Sequence, residues 1–457
     1  MVTSLNGTSL RSPGIKKPGR AGTAQLLTPA TRPSLQMSSS GSTGEPPQLP
    51  QELLNAIIDC LSDDIPSLHA CSLVCRAWTE HAQEHIFHEQ HFCTPQDTRG
   101  DLHKFRDLLR MSPHLGAFVK VIKLDDFPDG WKNRVHPWRH HEMETASPEV
   151  FPLLTTLKSF SFQLMHNGVW DRVVGVSVAD AYKSTLRTAF LTDVRLSWLT
   201  FDLYSNFLHL LSNLVAVREI NLSAITIKSF DDVTSATERD DRGCLRLISV
   251  HLNLNASLLQ HLTQWLLSDK SRFDLGQVRR LTVLSTRKPG TKAATLPSLG
   301  PLESILKRIE AGAVIHLGLE NALSRPLSSF ASLRNLKMIK LFTYILMDPS
   351  EWMSFFAQDI IEGELHAVEE FTVCLEVFQQ KGLHGYNEDW LALDSVSGTG
   401  CHVRVRFVFF AVLEQYWDEA VSRFTNEIRA ALPNLHCKNL LHLNFQAFNK
   451  TEGNDRC

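Results

Sequence analysis

The sequence predicts a mixed α+β / α/β protein, in which a small N-terminal three-helix module precedes a β-α solenoid of irregular repeats. Apolar residues recur at helical spacing between positions 49 and 86. Downstream, an apolar frame recurs at steps of mostly 28 to 38 residues, with helix-like segments between several frames. A chain of 457 residues is long enough for such a module and one or two large domains.

Residues 1–46 predict a disordered tail. The segment is rich in Ser, Thr, Pro and Gly, so it cannot bury enough apolar surface to offset the entropy cost of ordering. It has basic residues and no acidic residue before Glu45, as mitochondrial transit peptides do. Pro13, Pro18, Pro29 and Pro33, however, interrupt the amphipathic helix that such a peptide needs. We therefore expect a solvated tail.

Residues 47–92 predict three short helices. Pro50 suits a first helical turn, because the N–H that proline lacks would have no acceptor there. A second helix should begin near Pro66, after turn and N-cap residues at 62–64. The apolar stripes are Leu53, Leu54, Ile57, Ile58 and Leu61, then Leu68, Cys71 and Val74, then Trp78, Ala82 and Ile86. By itself, this pattern predicts a small bundle whose stripes form its own core.

The order and spacing of these residues resemble the F-box, a short three-helix module of ubiquitin-ligase adaptors. The resemblance rests on Leu-Pro at 49–50, Glu-Leu-Leu at 52–54, the Ile pair at 57–58 and Val-Cys-Arg-x-Trp at 74–78. It implies that the module binds a Skp adaptor, and it does not divide the residues between core and contact. The implied binding residues are Leu49, Pro50, Leu53, Leu54, Ile57, Ile58, Leu61, Leu68, Val74, Cys75 and Trp78.

Residues 93–116 predict a helical connector. Leu102, Phe105, Leu108 and Leu109 follow helical spacing, and Ser112 with Pro113 ends the pattern. The large domain then occupies residues 117–457.

A six-residue pattern recurs along the large domain, with apolar residues at its first, fourth and sixth positions, and we call this pattern the frame. It recurs at Val119, Leu157, Leu186, Val217, Leu245, Val278, Val314, Leu333, Val368, Val405 and Leu440. Strand alternating with helix in this way resembles the irregular leucine-rich repeats that often follow an F-box. The Asn or Cys of regular repeats is mostly missing and occurs at Asn253. Another kind of α/β domain with a mostly parallel sheet would give the same alternation.

Basic residues occupy the second frame position in most of these frames. They are Lys120, Lys158, Arg187, Arg218, Arg246, Arg279, Arg334 and Arg406. Such a row could bind an acidic partner. We favour the simpler interpretation that polar strand edges carry Lys and Arg because their stems cover apolar neighbours.

No catalytic, cofactor-binding or metal-binding constellation stands out in the sequence. The densest group of possible metal ligands, His136, His140, His141, Glu142 and Glu144, lacks a His-Glu-x-x-His or Cys-x-x-Cys pattern and is interpreted as a polar loop. There is no Gly-rich phosphate loop, nucleophile elbow or kinase-like motif set. We therefore expect a protein that is not an enzyme.

The composition and charge of the chain indicate which classes of partner and which cellular compartment to expect. The net charge of −3 gives no support for a nucleic-acid binder. The sequence contains no stretch of 18 uninterrupted apolar residues, so we expect no membrane span. The nine cysteines are scattered and follow no hydrophobic signal segment, which favours the cytoplasm or nucleus. The expected function is that of a substrate-recognition adaptor in a Skp–cullin–F-box ubiquitin ligase, with an unknown target protein. A non-ligase interaction scaffold is the alternative.

Overall fold

Three helices, a short connector and a large parallel sheet follow one another along the chain. The computed structural model describes residues 49–92, 102–126, 145–164, 182, 185–188, 190–230, 244–285, 304–306, 308–309, 314–320, 335–344, 350–362, 365, 367–377, 387–398, 403–411 and 417–447. The predicted tail, the cluster at 136–144, Leu333 and Arg334 lie outside these ranges. Among the described residues, no helix is both long enough and apolar enough to span a bilayer.

The three helices predicted near the N-terminus are present as α1 Gln51–Asp59, α2 Ile65–Ser72 and α3 Arg76–His88. The Asp64 carboxylate caps α2 by accepting from the Ser67 N–H at 3.3 Å, and Pro66 occupies the first turn, where no backbone donor is lost. Ile58, Leu68, Cys71 and Ala82 form the core of this module. This core is separate from that of the sheet, so the helices stabilise one another.

The helix α3 runs directly into a strand, β1 Glu89–Phe92, which the sequence did not predict. β1 pairs in parallel with β2 Val121–Asp126. Between them lie α4 Leu102–Met111 and a one-turn 3-10 helix, Pro113–Ala117, within the predicted connector. The Phe92 and Phe105 rings pack at 5.3 Å between centroids, so strand and connector share the apolar core of the sheet.

The main sheet has twelve parallel strands in the described part of the chain, and its strands follow sequence order. After β1 and β2 they are β3 Ser159–Leu164, β4 Asp193–Ser197, β6 Glu219–Ser223, β9 Ser249–Leu254, β11 Arg280–Ser285, β12 His316–Glu320, β13 Met338–Tyr344, β14 Glu370–Val377, β15 Arg404–Ala411 and β16 Leu441–Ala447. Two short parallel pairs lie outside it, β5 Thr200–Leu203 with β7 Thr226–Ser229, and β8 Leu245–Arg246 with β10 Phe273–Asp274.

Helices connect several of the strands. They are α5 Tyr204–Ser212, α6 Ala256–Leu267, α7 Ser350–Ile361, α8 Asn387–Ser395, α9 Trp417–Ala431 and α10 Pro433–Cys437. The α5 and α6 helices bury apolar side chains such as Phe207, Leu211, Leu259 and Leu262 in the same core as the strands. A parallel strand needs a crossover to return to the same edge, and these helices provide it.

Two rows of apolar side chains run across the sheet in register. The first row is Ile122, Phe160, Val194, Ile220, Val250, Leu281, Leu317, Ile339, Phe371, Val405 and Leu441, and the second is Leu124, Phe162, Leu196, Leu222, Leu252, Val283, Leu319, Leu341, Val373, Phe407 and Leu443. All are buried except the last member of each row, which is half-buried. Because side chains alternate along a strand, the residue between the two rows points to the opposite face.

Five of the predicted frames were misplaced. Leu186 is buried but not in a strand, and the in-register frames begin at Leu191, Leu247 and Leu336 rather than at Leu186, Leu245 and Leu333. The frames at Val405 and Leu440 were also wrong, because the in-register pairs there are Val405 with Phe407 and Leu441 with Leu443. Several apolar residues in each stretch fit the frame, and only hydrogen bonding between strands decides which fit is adopted.

Candidate protein-interaction surfaces

The predicted Skp-binding residues divide into exposed, half-buried and buried groups. Leu53 is 52% exposed, Ile57 is 45% exposed and Val74 is 63% exposed. Leu49, Pro50 and Cys75 are also exposed. Leu54, Leu61 and Trp78 are half-buried, whereas Ile58 and Leu68 are fully buried in the core of the module. The structure thus separates the exposed members of this set from those in the core of the module.

Helix geometry explains the exposed pair on α1. Leu53 and Ile57 are four residues apart and lie on one face of the helix. Ile58 is one position further round and points into the core. Gln51 at the start of α1 donates from its side-chain amide to the backbone oxygen of Ala77 at 3.0 Å, which holds this helix beside the first turn of α3.

A second exposed apolar group lies in the turn between α2 and α3. Its most exposed member, Leu73, was not among the predicted residues. Leu73 is 86% exposed and precedes Val74. The Thr79 hydroxyl contacts the backbone oxygens of Ser72 at 2.9 Å and Cys75 at 3.0 Å, so the turn has a defined shape. Leu73 follows the end of α2 and lies off the apolar stripe of Leu68 and Cys71, and its proximity to the Val-Cys-Arg-x-Trp pattern is the signal that could have indicated an exposed apolar residue.

The start of α2 carries a negative charge at its N-cap residue, Asp64. Hydrogen bonds from the Ser67 hydroxyl and backbone N–H lower the pKa of Asp64, which keeps the cap of α2 ionised. The exposed side chains Leu53, Ile57, Leu73 and Val74 are all apolar. They form two pairs of neighbouring side chains, Leu53 with Ile57 and Leu73 with Val74, and neighbouring exposed apolar side chains are typical of protein-interaction sites. We call these four residues the apolar patch.

The face of the main sheet opposite the two buried rows carries a mixed-charge surface. Its middle row includes Lys123, Arg195, Lys340 and Arg406 and contains no acidic residue in the described strands. A neighbouring row supplies carboxylates that form ion pairs with these or adjacent cations. The pairs are Lys123 with Glu89 at 2.9 Å, Arg195 with Asp193 at 3.2 Å, Arg280 with Glu219 at 2.5 Å and Arg406 with Glu370 at 3.7 Å.

His251 occupies the middle of this row. Burial, together with the positive charges of Lys340 and Arg195, lowers the pKa of its imidazole to about 4. The imidazole is therefore neutral at physiological pH and adds no positive charge to the row.

Only some of the basic residues predicted at the second frame position occupy equivalent positions in the structure. Lys120, Lys158, Arg218 and Arg279 each directly precede a strand of the main sheet, as predicted. Arg187 and Arg246 are not at that position, because their frames were misplaced, and Arg406 lies inside β15 on the middle row. Lys120 donates to Ala117 O at 2.7 Å and Thr156 Oγ1 at 2.8 Å, so one member of the row has a structural role.

Comparison with known protein families supports the N-terminal module. Residues 47–94 match the F-box-like family model. These residues contain α1 to α3, β1 and the whole apolar patch. The match supports the F-box module predicted from the sequence and a role in ubiquitin-ligase complexes. No curated protein matches the chain.

Proposed function

We propose that this protein is the substrate-recognition adaptor of a Skp–cullin–F-box ubiquitin ligase. The observation that carries the proposal is the exposed apolar patch within residues that match the F-box-like model. The module docks a Skp adaptor and, through it, a cullin, and the C-terminal domain holds the target. A separate ligase component performs the chemistry, so this chain acts by raising the local concentration of its target in the cytoplasm or nucleus and is not itself an enzyme.

The apolar patch supplies the contact in this proposal. Burying a side chain of this size contributes roughly 1.5 to 3 kcal/mol before the costs of ordering and association, so four such residues can support a stable interface. Leu49, Pro50 and Cys75 are exposed and remain predicted contacts. Ile58 and Leu68 act through the fold, because their side chains are fully buried.

The large domain is proposed to be a β-α solenoid of the leucine-rich-repeat type. Its support is the sequence order of the parallel strands and the two apolar rows that continue from strand to strand. In a solenoid each unit buries its apolar face against the next, which such rows would produce. The mixed-charge face then becomes the surface that recognises a target. An α/β domain of another type with a parallel sheet is the alternative.

The test is binding of the purified full-length chain to a Skp adaptor, measured by co-purification and calorimetry. The double variant Leu53→Asp/Ile57→Asp places two charges on the patch and should weaken binding by at least about tenfold, since desolvating a charge opposes association. Leu391→Asp is the matched control, because Leu391 is a 62% exposed leucine on α8, outside the module. If the folded wild-type chain does not bind the Skp adaptor, the proposal fails.

A second measurement separates the ligase from the scaffold hypothesis. The Skp complex is mixed with a cullin, and recruitment of the cullin is followed by size-exclusion chromatography. A ternary complex that forms with the wild-type chain and not with Leu53→Asp/Ile57→Asp supports the ligase adaptor. A Skp complex that recruits no cullin favours the non-ligase scaffold.

A further inference from the structure

Three possible metal ligands converge between α1 and α3. The Nε2 atoms of His81 and His85 each lie 2.8 Å from the same carboxylate oxygen, Oδ1 of Asp59. All three ligand atoms lie within 4.8 Å of one another. The two imidazole rings are perpendicular, with centroids 5.0 Å apart. Nothing in the F-box resemblance or in the proposed function assigns a role to this cluster.

Local structure explains why these side chains meet. His81 and His85 are four residues apart on α3 and project from the same helix face. Asp59 is the last residue of α1, where the chain turns toward α2 with Ser62 N donating to Asp59 O at 3.2 Å. The carboxylate therefore lies on a fixed backbone position opposite the two histidines.

The ligand set suits a transition metal better than a hard cation. Imidazole nitrogens favour zinc, cobalt, nickel and copper ions, whereas magnesium and calcium prefer sites built from oxygen. Two histidines with one carboxylate form the three-ligand set of an open zinc site, and water takes the fourth position. Asp59 is 55% exposed, which leaves solvent access on that side. His81 and His85 are only 22% and 25% exposed, so their orientations are held by packing.

The spacing and the surrounding groups fit metal coordination. Ligand atoms about 2.05 Å from a tetrahedral zinc ion are about 3.3 Å apart, so the present 2.8 Å distances need to open by about 0.5 Å. Glu84 Oε2 lies 3.7 Å from Nδ1 of His81, the nitrogen that faces away from the cluster. Carboxylates near the outer nitrogen commonly orient metal-binding histidines.

We propose that Asp59, His81 and His85 bind one divalent transition-metal ion of the zinc class, through the two Nε2 atoms and a carboxylate oxygen. The ion ties the end of α1 to the middle of α3. Because metal binds the folded arrangement and not the separated helices, its binding stabilises the module that carries the apolar patch. This proposal does not depend on a Skp adaptor as the partner.

The test uses the untagged full-length chain after treatment with a chelator and dialysis. Zinc chloride is titrated by calorimetry, and cobalt(II) is titrated by visible absorption, because tetrahedral cobalt gives intense bands that hexahydrated cobalt lacks. We expect one site per chain and a higher melting temperature in the presence of zinc. His85→Gln and Asp59→Asn should each weaken binding by about tenfold or more. Both substitutions keep a hydrogen-bonding group in place, so the helical module should remain folded, which circular dichroism checks.

His88→Gln is the matched control, because His88 is an exposed histidine on the same helix and outside the cluster. It should bind zinc and cobalt as the wild-type chain does. Equal affinity of His85→Gln and His88→Gln would overturn the proposal, as would the lack of any saturable site in the wild-type chain. In either case the cluster is a hydrogen-bonded triad without a metal. Binding of the Skp adaptor is measured separately, so failure of the metal site and failure of the proposed function are distinguishable.

Discussion

Gly116 is where the packing between the connector and the sheet can be tested most directly. It lies in the one-turn helix Pro113–Ala117, and a Cβ added there would lie 2.3 Å from the carbonyl oxygen of Leu153 and 3.0 Å from its carbonyl carbon. Ordinary contacts of a Cβ atom begin near 3.4 Å. The neighbour is backbone, so Gly116→Ala must move one chain segment by about 1 Å, and we expect a loss of about 3 kcal/mol in the free energy of unfolding.

Alanine substitutions at two other glycines give stability changes with which the Gly116→Ala change can be compared. A Cβ on Gly318 would lie 2.9 Å from both Oγ1 and Cγ2 of Thr282, its register partner on β11. A threonine side chain can adjust, so we expect a smaller loss of about 1 kcal/mol, and Thr282→Ala should relieve it in the double variant. A Cβ on Gly398 would meet nothing within 4 Å, so Gly398→Ala should gain about 0.4 to 1 kcal/mol by restricting the unfolded chain.

The measurement is urea denaturation of the full-length chain followed by circular dichroism. None of the three glycines has a positive φ, so backbone strain does not contribute and the ranking reports steric contact alone. We expect Gly398→Ala to be the most stable variant, then Gly318→Ala, then Gly116→Ala. If Gly116→Ala were as stable as Gly398→Ala, the described contact between the connector and residues 151–153 would be wrong.

Three further predictions concern buried groups. The pKa of His251 is lowered to about 4, so as pH falls through 6.5 the unfolded chain binds a proton that the folded chain does not. Stability should therefore fall between about pH 6.5 and pH 4 by up to about 3 kcal/mol, and pH-dependent denaturation of His251→Gln should lack this component. Buried Asp394 accepts from Asn434 N, Asn434 Nδ2 and Leu435 N at 3.2, 2.7 and 2.9 Å. Asp394→Ala should cost about 2 to 3 kcal/mol in urea denaturation, and Asp394→Asn less. Leu68→Ala should cost about 2 to 5 kcal/mol and weaken Skp binding through unfolding of the module, whereas Leu53→Ala should weaken binding without changing the melting temperature.

The helices of the N-terminal module could be predicted because their signals are local. Pro50, Pro66 and the Asp64 cap mark helix starts. The apolar stripe on α1 did not show that Leu53 and Ile57 are exposed while Ile58 is buried. The exposure of Leu73 could not be predicted in the same way. It lies beyond the end of α2, off the stripe of Leu68 and Cys71, and the path of the turn into α3 places it in solvent.

The strands were harder to place than the helices. The stretch from Leu245 to Leu252 contains two overlapping fits to the same apolar frame, and the predicted fit was the wrong one. The Arg218 carbonyl oxygen accepts from Ile248 N at 2.8 Å and Ser249 N at 3.1 Å, and this sets the register. Such hydrogen bonds join residues about 30 positions apart, so no local pattern contains them.

The Asp59–His81–His85 cluster could not be predicted from the sequence for a similar reason. The four-residue spacing of the two histidines is visible in the sequence, but Asp59 joins them only through the packing of α1 against α3. The densest group of possible ligands in the sequence is at residues 136–144, and these lie outside the described residues. Ligands that are separated in sequence become apparent only when the fold is known.

The junction between the module and the sheet bears on how an adaptor of this kind could work. No irregular segment separates α3 from β1, since the helix ends at His88 and the strand begins at Glu89. The strand is held by its parallel pairing with β2, and the His88 carbonyl oxygen accepts from Lys120 N at 2.9 Å. Rotation of the module against the sheet would therefore break regular hydrogen bonds, whereas a flexible linker would impose no such cost. Because proximity accelerates a reaction only when the bound groups keep a productive geometry, a continuous helix-to-strand junction suits a protein that holds one partner at each end.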